Sequence, residues 1–277
     1  MNPIFYYDGK FYKPGEAAVP LTDRSLFFGD AIYDACLVKK GRPYLLDAHL
    51  DRFYRGYRAL QIKPKMEKEK LRTLLCELCE KAGGEISFLY FQAARSAPKR
   101  RHFSDEGDTS HLLVTVTEGT VPQKDKALRL ILTQDHRYDF CHIKTVNLLP
   151  AVLASTKAKT AGADEAVFVR GDTVTECAHS NISILKNGTL FTHPKSRRIL
   201  PGTQREQLIR ACRMLNIPVE EIPFSVKALF EADEIFVTSS SRLCQRASLV
   251  NGKAVGYKDE KLASYIMDDI FWDFWNI

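Results

Sequence analysis

The chain lacks the short signatures by which many enzymes are recognised. It contains neither GxGxxG nor GxxxxGK[ST], so nucleotide binding through a Rossmann turn or a P-loop has no support. HExxH and GxSxG are missing too, which removes the zincin and nucleophile-elbow hydrolase readings. No run of eighteen apolar residues occurs, so no membrane span is expected. The opening MNPIFYYDGKFYKPGE has neither a basic leader nor an apolar stretch of signal-peptide length, and a cytoplasmic location is the expectation. Charge of one sign is scarce as well. Forty Lys and Arg face 34 Asp and Glu, mostly interleaved, for a net +6. That is too mild for a nucleic-acid-binding stripe, so a non-enzymatic basic protein is the weakest of the readings considered.

What is present is an ordinary globular composition, 45% hydrophobic and 27% charged over 277 residues. Such a length favours two domains. The seven cysteines are odd in number and scattered, without a disulfide framework. Cys76 and Cys79 form a CxxC within EKEKLRTLLCELCEK, where Leu71, Leu74, Leu75 and Leu78 keep helical spacing. No second CxxC or His pair completes a metal site, so the two thiols read as helix residues and no metal is expected.

Strand-like runs open the chain, with Asp8-Gly9 as a hairpin turn. DAHLDRFYRGYRALQI reads as a helix with Asp47 as N-cap and Leu50, Phe53, Tyr54, Tyr57 and Leu60 on its apolar face. ISFLYFQAAR and HLLVTVTE read as strands. The polar, proline-bearing segment 120–125 is the expected linker between an N-terminal α/β domain, 1–119, and a C-terminal domain, 126–277. LRLILT, EAVFVR, TVTEC, NISIL and EIFVTSS are the strands expected beyond it. The chain turns helical after Lys144, PGTQREQLIRACRMLN is a second helix, and Asn251-Gly252 turns a late hairpin ahead of a terminal helix. Without regular βαβ alternation, the order argues for α+β layers rather than a Rossmann sheet.

Lys144 lies at the end of an expected strand among Ile143, Val146, Leu148 and Leu149. Partial desolvation there would make the amine a better nucleophile; a snorkelling edge lysine is the alternative. Glu176 ends TVTEC among small and apolar neighbours, and could hold a cationic ring nitrogen or pair with a surface arginine. The segment PGTQRE opens a helix, a ready anion site. Ser239, Ser240 and Ser241 follow a strand end. Lys99-Arg100-Arg101-His102 is either a solvated loop or a pocket for a carboxylate.

Taken in order, HIKTVNLLPAVLA, TVTECAHSNISIL, ILPGTQRE and EIFVTSSS resemble the fold-type IV enzymes that depend on pyridoxal phosphate. These include the D-amino acid aminotransferases, branched-chain aminotransferases and aminodeoxychorismate lyases. DRSLFFGDAIYDACLV and LLDAHLDRFYRG extend the resemblance over nearly the whole chain. It implies an α+β fold of two domains, a smaller N-terminal α/β domain and a larger, barrel-like C-terminal one. It also implies that Lys144 forms a Schiff base with pyridoxal 5'-phosphate and then moves the substrate proton. Glu176 would hold the pyridine nitrogen, while Arg52, Thr203, Gln204 and Ser240 would hold the phosphate.

The D-amino acid aminotransferase branch is the most similar. In it a tyrosine and an Arg-x-His loop grip the substrate carboxylate, which implies roles for Tyr33, Arg100 and His102, with Ser241 beside them. The loop of that family serves the neighbouring subunit, so a homodimer is implied, with amino acids and 2-oxo acids as small-molecule partners and neither nucleic acid nor membrane. The chain departs from the pattern at four places. The loop needs a one-residue shift, which leaves Lys99 or Arg101 as alternatives to Arg100. Thr203-Gln204 replaces Ile-Thr, His179 stands where small residues are usual, and Arg242 offers a cation that could read a second acidic group. The reading is a transaminase with a preference for D-amino acids. A branched-chain L-amino acid aminotransferase and an aminodeoxychorismate lyase are its alternatives.

Overall fold

The computed structural model describes residues 1–16, 19–96, 99–105 and 108–277. The chain divides into two compact units. One comprises Met1–Val121 with Ile143–Asn147 and Ile277; the other comprises Pro122–His142 and Leu148–Asn276. The segment that carries Lys144 therefore belongs to the first unit, although it follows the interdomain boundary in sequence.

The first unit runs β1 (Ile4–Tyr7), β2 (Lys10–Phe11), α1 (Arg24–Phe28), β3 (Ala31–Lys39), β4 (Arg42–Pro43), α2 (Leu46–Ala59), α3 (Lys68–Ala82), β5 (Ile86–Arg95) and β6 (Ser110–Glu118). Its six-stranded sheet has the order β2-β1-β6-β5-β3-β4. All of the sheet's pairs are antiparallel. The helices cover it with the face that spacing foretold: Leu50, Phe53 and Tyr57 of α2 and Leu71, Leu75 and Leu78 of α3 are buried with Leu89, Phe91 and Val114 of the sheet. Phe53 alone stacks edge-on against Tyr57 and Phe91 at 5.1 and 4.8 Å. Burying a ring of that size contributes about 1.5–3 kcal/mol.

Three local details differ from expectation. Asp47 does not cap α2; Leu45 holds the cap position in the left-handed region at φ 55°, and Asp47 lies in the first turn. There its charge suits the helix dipole and pairs with Arg72 at 3.0 Å. Helix α1 forms inside DRSLFF, capped by Asp23, whose carboxylate accepts from the Ser25 amide at 2.8 Å. Strand β3 was hidden because it is buried on both faces and shows no alternation.

The second unit runs β7 (Leu128–Gln134), α4 (Leu149–Thr160), β8 (Glu165–Arg170), β9 (Thr173–Cys177), β10 (Asn181–Lys186), β11 (Thr189–Thr192), α5 (Thr203–Met214), β12 (Val219–Glu220), β13 (Phe224–Ser225), α6 (Val226–Glu231), β14 (Glu234–Ser239), β15 (Leu243–Val250), β16 (Lys253–Ala254) and α7 (Glu260–Trp275). Its ten strands follow the path β12-β11-β10-β14-β15-β7-β8-β9-β13, with β16 on β15. The sheet is mixed, since β7 pairs parallel to both β15 and β8. Strands β8, β10 and β14 are buried along nearly their whole length, which accounts for their continuous apolar runs.

Cys79 is buried in α3 and Cys76 half-buried beside it, both free thiols. Burial pushes the Cys79 thiol up to about 12, which leaves it unreactive. Among the described residues no helix is long and apolar enough to cross a membrane.

Candidate active site

Lys144 is not on a regular strand. Its peptide is stitched to β3 instead: the Tyr33 amide donates to the Lys144 carbonyl at 2.9 Å, the Val146 amide donates to the Ala31 carbonyl at 3.3 Å, and Ile32 bridges Thr145. A second clamp lies three residues downstream. The Asn147 Nδ2 donates to the Gly29 carbonyl at 2.9 Å, and a Cβ on Gly29 would stand 2.2 Å from Asn147 Oδ1. Only glycine serves there, and at φ 60° it also tolerates the left-handed cap of α1. The outcome is a half-buried lysine whose Nζ lies 4.4 Å from the centroid of the Tyr33 ring. Tyr33 in turn stacks on Tyr90 at 5.4 Å. The structure thus brings together two residues, Lys144 and Tyr33, that lie far apart in sequence.

In the same unit Arg52 is 6% exposed and bound to Asp34, which is fully buried. Arg52 Nε donates to Asp34 Oδ2 at 2.8 Å and Nη2 to Oδ1 at 2.7 Å; His49 Nδ1 stands 2.7 Å from Oδ1. Burial by itself would raise the Asp34 carboxyl, but Arg52 and His49 overcome it and hold the group well below the usual carboxylate range. Burial lowers His49, only partly countered by Asp34, so the imidazole is the neutral form. Arg52 was singled out by the sequence; His49 and their shared partner Asp34 were not.

In the second unit Glu176 is 5% exposed at the end of β9. Its Oε2 accepts from Asn181 Nδ2 at 2.9 Å and from the Leu200 amide at 3.0 Å, and its Oε1 accepts from Arg137. Arg137 was not singled out by the sequence. It also donates Nε to Asp135 Oδ1 at 3.0 Å and Nη2 to Oδ2 at 3.1 Å, with its guanidinium 4.3 Å from the Phe168 ring centroid. Despite burial, which works against the charge, Glu176 and Asp135 hold Arg137 firmly protonated. A buried carboxylate so fixed is an acceptor aimed by its surroundings, and each oxygen has two lone pairs to offer.

Gly202 precedes α5, where a Cβ would lie 2.0 Å from Asn181 Oδ1. Thr203 and Gln204 open that helix, 7% and 2% exposed. Among the described residues, both amide atoms of Gln204 and the hydroxyl of Thr238, itself 2% exposed, are buried with no partner. Ser240 and Ser241 lie in the turn between β14 and β15, where Ser239 Oγ and Ser241 Oγ are 3.3 Å apart.

A third buried carboxylate, Glu165, ties this turn to the one after Glu176. It accepts from Ser180 Oγ and from the His179 amide, each at 3.0 Å, and from Arg242. The Arg242 guanidinium is therefore engaged by Glu165, not presented as an open anion reader. His179 lies 3.2 Å from Glu165 with half its side chain exposed.

In the 99–102 loop, Arg101 is closed in by Asp105 and Asp108 at 2.6 and 2.8 Å. Arg100 is exposed and rests over Phe27 and Phe28; His102 stacks near Phe28 at 5.2 Å. Among the described residues, no His, Cys, Asp and Glu cluster could hold a metal ion.

The description Amino-transferase class IV matches residues 31–250, and the chain belongs to that family. It is a fold-type IV, pyridoxal-phosphate-dependent aminotransferase with an α+β fold. Among curated proteins it is 32% identical to a D-alanine aminotransferase of Listeria monocytogenes over 92% of both chains. It is 33% identical to the D-alanine aminotransferase of Staphylococcus aureus over 87% of this chain and 86% of that one. Among solved structures it resembles the branched-chain aminotransferase of Thermoproteus uzoniensis, determined with norvaline: TM-score 0.88 at 21% identity, covering 97% of this chain and 93% of that one. The branched-chain amino acid aminotransferase of Escherichia coli gives a TM-score of 0.88 at 17% identity, over 98% of this chain and 94% of that one. At such identities the structural likeness speaks to the fold alone.

Proposed function

We propose that this aminotransferase moves the amino group of a D-amino acid to a 2-oxo acid such as 2-oxoglutarate or pyruvate. The observation that carries the reading is the match, at 32% identity and over nine-tenths of both chains, to a D-alanine aminotransferase. Pyridoxal 5'-phosphate fits the residues present. Gln204 Nε2 in the first turn of α5 and the Thr238 hydroxyl on β14 are buried donors without a partner. The dipole at the opening of α5 favours a phosphate. Thr203, Gln204, Ser240 and Arg52 would hold that group, with Asp34 keeping the Arg52 fork in one orientation.

When bound, pyridoxal phosphate supplies a ring that withdraws electrons from the substrate α-carbon. The protein's share of the chemistry is positioning and proton movement. Glu176 would accept from a protonated pyridine nitrogen, and Arg137 and Asn181 hold the carboxylate in place for it. Lys144 would hold the cofactor through its amine and, when that amine is free, would carry a proton to and from the substrate α-carbon. Tyr33 sits against the Lys144 amine and contributes to the carboxylate site.

Arg100 and His102 bind the substrate carboxylate, and Ser241 borders the same site. The commitment of Arg101 to Asp105 and Asp108 leaves Arg100 as the arginine for the task. The loop serves the neighbouring copy in a homodimer. The apolar face of α4 supports that assembly, with Leu149, Val152 and Leu153 each more than half exposed at i, i+3, i+4 spacing. Seven unbridged thiols fit a reducing compartment such as the cytoplasm.

Absorbance of the cofactor-loaded enzyme tests the reading. D-alanine or D-glutamate should bleach the visible band, and a 2-oxo acid should restore it. Response to L-leucine or L-valine alone transfers the assignment to the branched-chain reaction. Pyruvate release from aminodeoxychorismate without an acceptor transfers it to the lyase.

A further inference from the structure

Arg24 opens the short helix α1, is 5% exposed, and divides its guanidinium among partners that all concern one loop. Its Nε donates to Asp30 at 2.7 Å. Its Nη1 donates to the carbonyl of Arg101 and, at 3.1 Å, to that of Phe103. These two carbonyls flank His102. Asp30 is itself fixed by Arg95 Nε at 2.9 Å, and Arg95 is anchored by donating to the carbonyls of Leu60 and Gln61. On the same helix the Phe28 ring has the Arg24 guanidinium 4.8 Å from its centroid, that of Arg100 at 5.1 Å and the His102 ring at 5.2 Å.

A buried guanidinium costs free energy unless every part of it is satisfied. Here Asp30 Oδ2 accepts from both Arg24 and Arg95, and Nη1 of Arg24 is turned on the backbone either side of His102. A loop held in this way has already lost the freedom that binding a carboxylate would otherwise remove.

We propose that Arg24, together with Phe28, is a positioning residue that pre-orders Arg100 and His102 for the substrate carboxylate and so sets substrate affinity without touching substrate. The proposal rests on the reading of Arg100 and His102 as carboxylate ligands.

Steady-state kinetics and hydrogen–deuterium exchange on cofactor-saturated enzyme test it. Arg24→Gln should raise KM for both amino acid and 2-oxo acid about tenfold with kcat within about twofold, the pattern of lost binding rather than lost chemistry. Exchange should rise in residues 99–105 and stay level in β3. Arg24→Lys should recover part of the affinity, because an ammonium keeps Asp30 and one carbonyl. Phe28→Leu should shift KM the same way by a smaller factor; with Arg24→Lys it decides the matter should Arg24→Gln fail to fold. Unchanged KM and exchange in these variants, alongside a raised KM in Arg100→Ala, overturns the positioning role alone. Unchanged KM in Arg100→Ala removes the carboxylate role of the loop, and this proposal with it.

Discussion

Asp34 in the first unit and Glu176 in the second are both buried carboxylates beside an arginine, yet the two pairs are braced in opposite ways. At Asp34 the acid is the brace: both oxygens and the neighbouring His49 keep the Arg52 fork in one orientation. At Glu176 the arginine is the brace. Arg137 is shared between Asp135 and Glu176, and the acid's second oxygen is steered by Asn181 and the Leu200 amide. The Asp135–Arg137–Glu176 group thus holds one more acid than base, whereas Asp34 and Arg52 balance with a neutral His49 beside them. Glu165 is a third case, spread over Arg242, Ser180 and the His179 amide.

The comparison breaks most sharply at Asp34. Asp34→Asn leaves Arg52 buried with its charge unmatched, which should cost about 3–5 kcal/mol of stability and weaken cofactor retention. Denaturant melts and pyridoxal phosphate titration measure both, and an unchanged midpoint would contradict the brace. Arg137→Met should have the next largest effect. It strips a partner from two buried carboxylates, so stability should fall as well, although Arg170 and Thr175 stay on Asp135; kcat should drop roughly a hundredfold with a smaller change in cofactor affinity. A variant that lost cofactor but kept its turnover rate would make Arg137 a structural residue only.

Acid should act on the two regions in the same direction. The folded-state pKa values of Asp34, Asp135 and His49 are all lowered, so the unfolded chain binds more protons and stability rises with pH. The His49 contribution is complete above about pH 6.5, and those of the two aspartates above about pH 4; each is lost on going lower. Melting temperature followed from pH 8 to pH 3 should fall in that order. His49→Gln should flatten the upper part of the curve, where the lowered His142 and His193 also act. The smallest effect belongs to His179→Ser. Glu165 keeps Arg242, Ser180 and the backbone amide, so kcat/KM should stay within about threefold.

Most of the strands and helices α2, α3 and α5 were legible, because EAVFVR and EIFVT hold short apolar runs and the helices carry apolar residues at i, i+3, i+4. The brace residues were not. Asp34, Asp135 and Arg137 carry no local signal, and only burial reveals what each one neutralises. Helix α1 was hidden as well, since five residues give no periodicity, and with it went the reason for Arg24.

The order of motifs along the chain determined the family, since residue type and spacing carry that information locally. Which arginine of the 99–102 loop is spent on its own aspartates, which acid orients Arg52 and which arginine orients Glu176 were decided only in three dimensions. Pairing between residues tens of positions apart depends on desolvation, and a linear sequence does not say which charges lose their water.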